Sequence, residues 1–425
     1  MRRVVVTGMG AVTPFGVGAG ALWESVKAGK NGVSGVTRFD VSELPTKVAG
    51  EVDGFSPSDY MDKKEQKRMD RFTQYALAAA IMAHEQSGLA LDVEDRTRIG
   101  VIIGSGIGGI STFEEGIRVL FEKGPSRVSP FFIPMLIANM ASGRIAIQFG
   151  LKGFNECVVT ACSSGTNAIG DAFHTIREDK ADLMFAGGSE AAVTPITFAG
   201  FCAMKAMSAN PDPETASRPF DKNRDGFVLS EGAGVLILEE YEHAVRRGAR
   251  ILAEIAGYGC TNDAFHIVQP AEGGEGAARC MKLALEDAAV APEAVGYINA
   301  HGTSTDYNDR FETIAIKTVF GEHAYKLGVS STKSMTGHLL GAAGAIEAII
   351  TCNALIEGFL PPTIHYREQD PACDLDYIPN LGRAAEGVNC AISNTFGFGG
   401  HNATLVFKKC AEGPVATGLE GSGTA

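Results

Sequence analysis

Residues 158–170 read Val-Val-Thr-Ala-Cys-Ser-Ser-Gly-Thr-Asn-Ala-Ile-Gly, an apolar run that passes directly into a small-residue helical pattern. The pattern predicts a β-strand that turns sharply into an α-helix, with Cys162 at the turn. A helix N-terminus carries partial positive charge and free N–H groups, and both favour the nucleophilic thiolate by lowering the pKa of a thiol. Buried cysteines also serve as small core hydrophobes, so position alone leaves a packing role for Cys162 open.

The composition limits the class of protein. The 425 residues are 45% apolar and carry a net charge of −13, which argues against broad binding to nucleic acid or to anionic membranes. Nine cysteines without a C-x-x-C pair predict a reducing compartment, and we expect a cytoplasmic protein. The first residues lack a secretory apolar segment. The longest apolar stretch, residues 339–360, contains two glutamates and predicts a buried helix rather than a membrane span.

Short β-branched runs alternate with longer helical patterns, which is typical of an α/β fold. The order of these segments repeats along the chain, and this predicts a duplicated protein. The matching segments are residues 2–10 with 250–259, 98–104 with 295–302, and 156–170 with 325–344. Each half is expected to close with a pair of strands, residues 183–187 with 234–239 and residues 390–393 with 404–408.

The repeat predicts an N-terminal half over residues 1–249, which carries Cys162, and a C-terminal half over residues 250–410. Residues 411–425 have little to bury and are expected to form a disordered tail. A pocket between two packed units is a ready binding site, so we expect the functional site where the halves meet.

Two further segments offer side chains for chemistry. In Asn299-Ala-His301-Gly-Thr-Ser-Thr305 a predicted strand ends at a histidine, and in Lys333-Ser-Met-Thr-Gly-His338 a histidine opens a Gly/Ala-rich helix. Each imidazole could equally be a satisfied core group. Both occur, however, in the half opposite Cys162 and at corresponding turns.

Together the motifs VTACSSG (159–165), NAHGTST (299–305), KSMTGH (333–338) and SNTFGFGG (393–400) resemble the condensing enzymes of fatty-acid synthesis, the β-ketoacyl-acyl carrier protein synthases. The segments KKEQKRMDRF (63–72) and GSGIGG (104–109) are similar to their type II subgroup. The resemblance covers nearly the whole chain. It implies a thiolase-like α/β fold of two duplicated βαβαβαββ halves, packed as a five-layer αβαβα sandwich and assembled as a homodimer.

The resemblance also implies a catalytic Cys-His-His site of Cys162, His301 and His338, with Lys333 and Glu312 as a supporting pair. The thiolate would take an acyl group from acyl carrier protein. The imidazoles would stabilise the enolate formed when malonyl-carrier protein loses carbon dioxide. This chemistry requires no metal and no organic cofactor.

Other residues receive roles from the same resemblance. The backbone N–H groups of Cys162 and Phe398 would form an oxyanion hole, and Phe398 would also gate the acyl pocket. Further expected contacts are Thr303 and Thr305 with the pantetheine arm, and Ile107, Phe201 and the partner subunit's Phe132 with the acyl chain. Carrier protein is acidic, so the basic residues Lys64, Lys67, Arg68, Arg127 and Lys205 are candidates for its docking site.

The chain departs from the family at one motif. After NAHGTST the family continues with proline, whereas this chain has Asp306-Tyr307-Asn308. Asp309 and Glu312 still fall at their expected positions, so we expect altered loop chemistry and retained activity. A carboxylate at Asp306 could disturb the electric field near His301.

Parts of the sequence also match other kinds of site or protein. Gly104–Gly109 matches a dinucleotide-binding fingerprint, but Glu122 lies in a helical, charged stretch, so the glycines are expected to form a packed turn. A zinc site at His301, His338 and His401 lacks a carboxylate placed as a further ligand. A polyketide-type ketosynthase with the same three residues remains open. A hydrolytic Cys-His enzyme lacks an orienting Asn or Asp motif, and a non-catalytic subunit would lack the nucleophile.

Overall fold

The computed structural model describes residues 1–410, and the predicted tail at 411–425 lies outside the described residues. The strands are β1 (Val4–Thr13), β2 (Gly16–Val17), β3 (Ser34–Gly35), β4 (Val48–Ala49), β5 (Ile99–Gly104), β6 (Asn155–Glu156), β7 (Leu183–Glu190), β8 (Gly232–Glu240), β9 (Ala253–Asn262), β10 (Tyr297–Asn299), β11 (Gly328–Ser330), β12 (Phe359–Leu360), β13 (Arg383–Ala384), β14 (Cys390–Gly397) and β15 (His401–Lys408).

The helices are α1 (Ala19–Lys27), α2 (Lys63–Gln66), α3 (Arg71–Ser87), α4 (Ile110–Lys123), α5 (Phe132–Leu136), α6 (Met140–Phe149), α7 (Ser164–Arg177), α8 (Pro195–Ala203), α9 (Tyr241–Arg246), α10 (Glu275–Asp287), α11 (Asp306–Phe320), α12 (Lys333–Thr336) and α13 (Ala343–Glu357). Short 3-10 turns at Ala161–Ser163 and Leu340–Ala342 lead into α7 and α13.

The two halves have the same strand order. The first half runs β1-β8-β7-β5-β6 and the second runs β9-β15-β14-β10-β11, so strands at equal positions in the two halves correspond. The orientations agree as well, because β5 pairs in parallel with β6 and β7, just as β10 pairs in parallel with β11 and β14. The predicted closing pairs β7–β8 and β14–β15 are confirmed as antiparallel. This repeated order confirms the duplication.

The halves are joined at the centre of the molecule. Strand β1 pairs with β9 over three residues, so the two sheets form one continuous path of hydrogen-bonded strands. The predicted boundary between residues 249 and 250 falls in the short connection between α9 and β9, and the division stays a prediction.

The three largest apolar cores of the described residues lie between five layers, with the central core on both sides of the middle helices. Side chains alternate along each strand, so Val101 and Ile103 of β5 face the outer helices α3 and α6, whereas Ile102 faces the centre. Helices α10 and α11 enclose a corresponding core on the outer face of the second half. Helices α7 and α13 pack against each other between the two sheets. The result is the αβαβα arrangement of the thiolase-like fold.

The central helices have the composition that such close packing needs. A Cβ on Gly165 of α7 would lie 2.8 Å from the carbonyl oxygen of Gly341, so a larger residue would push the halves apart. The stretch Leu340–Glu357 is long and apolar enough to cross a membrane by length and composition alone. However, 83% of it is buried inside the protein, as in the core helix of a folded domain. This agrees with the helix predicted for residues 339–360.

Candidate active site

Cys162 lies on a strained turn between the edge of the first sheet and α7. The predicted strand before it is shorter than expected: β6 covers only Asn155–Glu156, and residues 157–160 form an irregular segment. Ala161 has φ 53°, a left-handed conformation that is costly for a residue with a Cβ. The Ser164 hydroxyl stabilises the turn by accepting from Thr160 N (2.9 Å) and donating to the Ala161 carbonyl (2.7 Å).

The second half also holds this turn in place. The Ser163 hydroxyl donates to the carbonyl oxygen of His401 at 2.7 Å and lies 3.1 Å from that of Thr395. Both acceptors belong to the β14–β15 pair. The hairpin that closes the C-terminal half therefore positions the turn that carries Cys162.

The two histidines follow elements of the second half. His301 comes two residues after β10, and its backbone N–H donates to Glu312 at 2.8 Å. His338 follows α12 and a left-handed Gly337, and it is held by backbone hydrogen bonds with Val228 and Ser230. Hydrogen bonds to the backbone thus hold both histidines in place.

The structure brings Cys162, His301 and His338 together. Cys162 Sγ lies 3.0 Å from His338 Nε2, and the two imidazole rings meet edge to face with centroids 5.5 Å apart. One donor atom from each of the three side chains lies within 4.8 Å of the others, and all three residues are buried. A thiol, a proton acceptor and a second imidazole are therefore available to one substrate.

The electrostatics correct one expectation. The sequence predicts a lowered pKa for Cys162, but burial raises the pKa of the thiol to about 11, although Lys333 and the Phe398 N–H oppose this. Burial and the nearby Lys333 charge hold the pKa of His301 and of His338 well below 6.5. The resting site is therefore a neutral thiol beside neutral imidazoles, because desolvation outweighs the helix N-terminus.

Lys333 and Glu312 do not form the expected pair. The Lys333 ammonium donates to Glu347 of α13, and both side chains are buried. Glu312 instead accepts the backbone N–H groups of His301 and Gly302, each at 2.8 Å. Burial raises the pKa of Glu312 to about 7. Glu312 thus orients the His301 turn. The positive charge of Lys333 acts on all three central side chains and lowers the pKa of Cys162, His301 and His338.

A cavity of about 410 Å³ opens from these three residues toward the surface. Ile107 and Phe201 line it together with Cys162, and so do Thr303 and Thr305, whose hydroxyls are 2.9 Å apart. Phe398 lines it as well. Gly397, beside Phe398, approaches the Cys162 turn closely, because a Cβ there would lie 3.1 Å from Cys162 N.

The structure places the remaining predicted residues outside this centre. Phe132 does not line the cavity of the described chain and packs against Gly116 of α4. Lys64, Lys67 and Arg127 are exposed, and Lys205 is exposed at the cavity mouth. Arg68 is half-buried and stacks on the Phe131 ring at 4.8 Å, which brings the 63–68 segment beside the 125–131 segment.

Asp306 is accommodated as the first residue of α11. Its side chain is 66% exposed and lies 3.3 Å from Arg224 Nη2. Proline and a carboxylate both suit the first turn of a helix, the one through its fixed φ and the other through the helix dipole. The groups that lower the pKa of His301, beside burial, are Lys333 and His338.

Four residues of the site were missed by sequence reasoning. Phe227 meets the His338 ring edge-on at 5.4 Å, and Leu340 lines the cavity in a left-handed conformation. Glu347 pairs with Lys333, and Glu190 binds the turn before Ile107. The only available signal was charge inside otherwise apolar segments, which marks Glu190 and Glu347 as buried acids.

Comparison with known proteins agrees with this geometry. Residues 1–244 match the family described as Beta-ketoacyl synthase, N-terminal domain, and residues 252–367 match Beta-ketoacyl synthase, C-terminal domain. The chain is 53% identical over 409 residues to 3-oxoacyl-(acyl-carrier-protein) synthase 2 of Synechocystis sp., covering 96% of this chain and 98% of that protein. It is 52% identical over 408 residues to the enzyme of the same name from Staphylococcus aureus, with the same coverage.

Solved structures show the same fold. A β-ketoacyl synthase from Burkholderia phymatum superposes with a TM-score of 0.89 at 38% identity, covering 97% of this chain and all of that one. A ketosynthase of a type II polyketide synthase, solved in complex with its acyl-carrier protein, superposes with a TM-score of 0.89 at 37% identity over 96% of this chain and all of that one. The chain belongs to the β-ketoacyl synthase family, whose members are acyltransferase-type condensing enzymes of the thiolase fold.

Proposed function

We propose that the chain catalyses the decarboxylative Claisen condensation of an acyl group, taken from acyl carrier protein, with malonyl-acyl carrier protein in fatty-acid elongation. The observation that carries this proposal is the contact of 3.0 Å between Cys162 Sγ and His338 Nε2, with His301 in the same buried cavity. Identity of 52–53% to curated 3-oxoacyl-(acyl-carrier-protein) synthases 2 supports the fatty-acid reaction over a polyketide one.

The first half-reaction moves an acyl group to Cys162. The thiol sulfur attacks the carbonyl carbon of the acyl thioester while its proton passes to His338 Nε2, 3.0 Å away. The carbon–sulfur bond to the carrier then breaks, and the departing carrier thiolate takes that proton. Because the pKa values leave a neutral thiol and a neutral imidazole, His338 is the base that activates the nucleophile.

The second half-reaction uses both imidazoles as donors. The bond between the malonyl α-carbon and its carboxylate breaks, carbon dioxide leaves, and the electron pair forms an enolate on the thioester. The N–H group of His301, and that of His338 in the tautomer that carries its proton on Nε2, stabilise the enolate oxygen. The carbanionic carbon attacks the acyl-cysteine carbonyl, the Cys162 thiolate departs, and a proton from solvent restores the thiol. The products are 3-oxoacyl-carrier protein and carbon dioxide.

Other residues hold the substrate. The backbone N–H groups of Cys162 and Phe398 stabilise the oxyanion that forms on the acyl carbonyl. The same two N–H groups lower the pKa of Cys162, which agrees with a role in stabilising negative charge. Thr303 and Thr305, which line the cavity, receive the pantetheine arm. Ile107 and Phe201 contact the acyl chain, and the partner subunit's Phe132 completes the pocket.

The proposed partners are acyl carrier protein and a second copy of this chain. Lys64, Lys67, Arg68, Arg127 and Lys205 would attract the acidic carrier to the cavity mouth, where Lys205 lies. A homodimer would cover the apolar side chains that flank edge strand β6: Ile147 is 72% exposed, Val159 58% and Phe154 46%. We place the enzyme in the cytoplasm, because its nine cysteines are free and a reducing compartment keeps thiols in that state.

The test compares Cys162→Ala and Cys162→Gln with the parent chain in two assays, elongation of acyl-carrier protein and decarboxylation of malonyl-carrier protein. Elongation should vanish in both variants while decarboxylation survives in at least one, because the histidines are intact. Cys352→Ala, at a buried thiol of α13, is the matched control and should retain both activities. Loss of neither activity in the Cys162 variants would contradict the proposal.

A metal control belongs in the same experiment. The Cys162, His301 and His338 donor atoms lie close enough to bind a transition metal, and His-Cys sets commonly do so. The mechanism above needs no metal, so dialysis against EDTA should leave elongation unchanged. A loss that added zinc restores would replace the imidazole mechanism with a metal-assisted one.

A further inference from the structure

A fully buried carboxylate lies beside the acyl end of the cavity. Glu190 is the last residue of β7, and its side chain accepts four hydrogen bonds. Its Oε1 accepts from the Ser105 hydroxyl (3.0 Å) and Ile107 N (3.2 Å), and its Oε2 accepts from Gly106 N (2.7 Å) and Gly341 N (3.0 Å). Three donors belong to the first half of the protein and one to the second.

The Glu190 carboxylate leaves no room for a side chain at the two glycines whose N–H groups it binds, Gly106 and Gly341. A Cβ on Gly106 would lie 2.9 Å from Glu190 Oε2, and a Cβ on Gly341 would lie 2.8 Å from the same atom and 2.4 Å from Gly106 N. The N–H groups that a dinucleotide-binding loop offers to phosphate are therefore taken here by a carboxylate of the protein itself. This accounts for the GSGIGG segment without a nucleotide.

The residues bound to Glu190 form two walls of the acyl pocket. Ile107 lines the cavity from the first half. Gly341 directly follows Leu340, which lines the cavity from the second half and belongs to the apolar cluster that contains Cys162. Leu340 has φ 48°, a conformation that persists only when neighbouring contacts hold it. One carboxylate thus ties together backbone from both walls.

We infer that Glu190 is a positioning residue that fixes the Ile107 and Leu340 walls relative to each other, and that it thereby sets the length of acyl chain accepted at Cys162. The inference rests on the proposed function, because it assigns Glu190 to the first half-reaction only. A long acyl chain contacts both walls, whereas an acetyl group ends near Cys162. The malonyl site at His301 and His338 needs neither wall.

Glu190→Gln tests this with little change in shape. If the amide oxygen takes the Oε2 position it still accepts from Gly106 N and Gly341 N, but the amide NH₂ then faces Ile107 N–H and leaves it unpaired. The opposite orientation leaves two N–H groups unpaired, so the first is favoured. The expected defect is therefore a loosened Ile107 wall. Glu239→Gln is the matched control, since Glu239 is equally buried and binds Thr7, His243 and Arg247 away from the cavity.

The experiment measures the rate of Cys162 acylation by mass spectrometry for acyl-carrier proteins from acetyl to dodecanoyl, alongside malonyl decarboxylation and the melting temperature. For Glu190→Gln we expect dodecanoyl transfer to fall about tenfold and acetyl transfer and decarboxylation to change less than about twofold. Glu239→Gln should change no length ratio.

An equal loss at all chain lengths, or no loss, would overturn the role of Glu190 while the parent activity still supported the condensation. Inactivity of the parent with every acyl chain would instead refute the proposed function. If Glu190→Gln does not fold, Ser105→Ala removes one donor of the same cluster and should give a smaller, length-dependent loss; an unchanged length ratio there would also overturn the inference.

Discussion

Glu312 should make the stability of the protein fall between pH 5 and pH 8. Burial raises its pKa from 4.5 to about 7, so the folded state holds a proton that the unfolded chain has released. When the pKa of a group is higher in the folded state than in the unfolded chain, its stabilising contribution is complete at pH values below the pKa of the unfolded chain. That contribution is lost as the pH rises through the pKa of the folded state. Linkage with these two pKa values gives a loss of roughly 2–3 kcal/mol in the free energy of unfolding between pH 5 and pH 8.

Glu312→Gln removes this titration and leaves an amide that can accept only one of the two N–H groups of His301 and Gly302. The variant should be less stable than the parent at pH 5, and the difference should shrink or reverse by pH 8. Urea unfolding of both proteins at fixed concentration and at several pH values measures this. Parallel pH profiles for parent and variant would refute the assignment of a proton to Glu312.

Three further changes have defined outcomes. Replacing both Lys67 and Arg68 with Glu should raise the KM for the carrier-linked substrate about tenfold and leave the KM for acyl-pantetheine unchanged, because only the carrier offers an acidic surface. The control with the same change in charge is the exposed pair Lys282→Glu and Arg246→Glu. Equal effects of the Lys67 and Arg68 replacements on both substrates would contradict the docking role. Asp306→Pro should change kcat/KM less than about twofold, since both residues suit the first position of α11; a large gain in decarboxylation would show that the Asp306 charge does reach His301. Ser163→Ala removes the hydroxyl that contacts the His401 and Thr395 carbonyls. It should lower the free energy of unfolding by about 1–2 kcal/mol, measured from urea midpoints, and slow acyl transfer. An unaltered rate of acyl transfer would mean that the Cys162 turn does not depend on these contacts for its position.

The duplication could be predicted from the sequence because it depends on local patterns that occur twice. The strands at residues 4–13 and 253–262 and the closing pairs β7–β8 and β14–β15 follow from apolar runs bounded by glycine turns. The strand predicted before Cys162 was wrong over residues 158–160. Val158 and Val159 follow β6 at the edge of the first sheet, and an apolar run at that position cannot be distinguished by periodicity alone from a central strand.

The roles of the acidic residues depended on three-dimensional contacts. Lys333 and Glu312 are both close to the histidines, but the partner of Lys333 is Glu347, which comes from the central helix α13. Glu190 likewise binds N–H groups from turns 84 and 151 residues away. Such pairings follow from the packing of the two halves, and the spacing of residues along the chain does not predict them.

The sequence by itself determined the chemical inventory: a cysteine at a helix start, two histidines at turns of the other half, and glycines where backbone segments approach closely. Only the tertiary structure decided the protonation states of the cysteine and the two histidines. The pKa of Cys162 is raised because the halves close over the thiol and remove water, and this desolvation exceeds the attraction of the helix N-terminus and of Lys333. Burial is a property of the whole packed molecule, so a local motif cannot specify it.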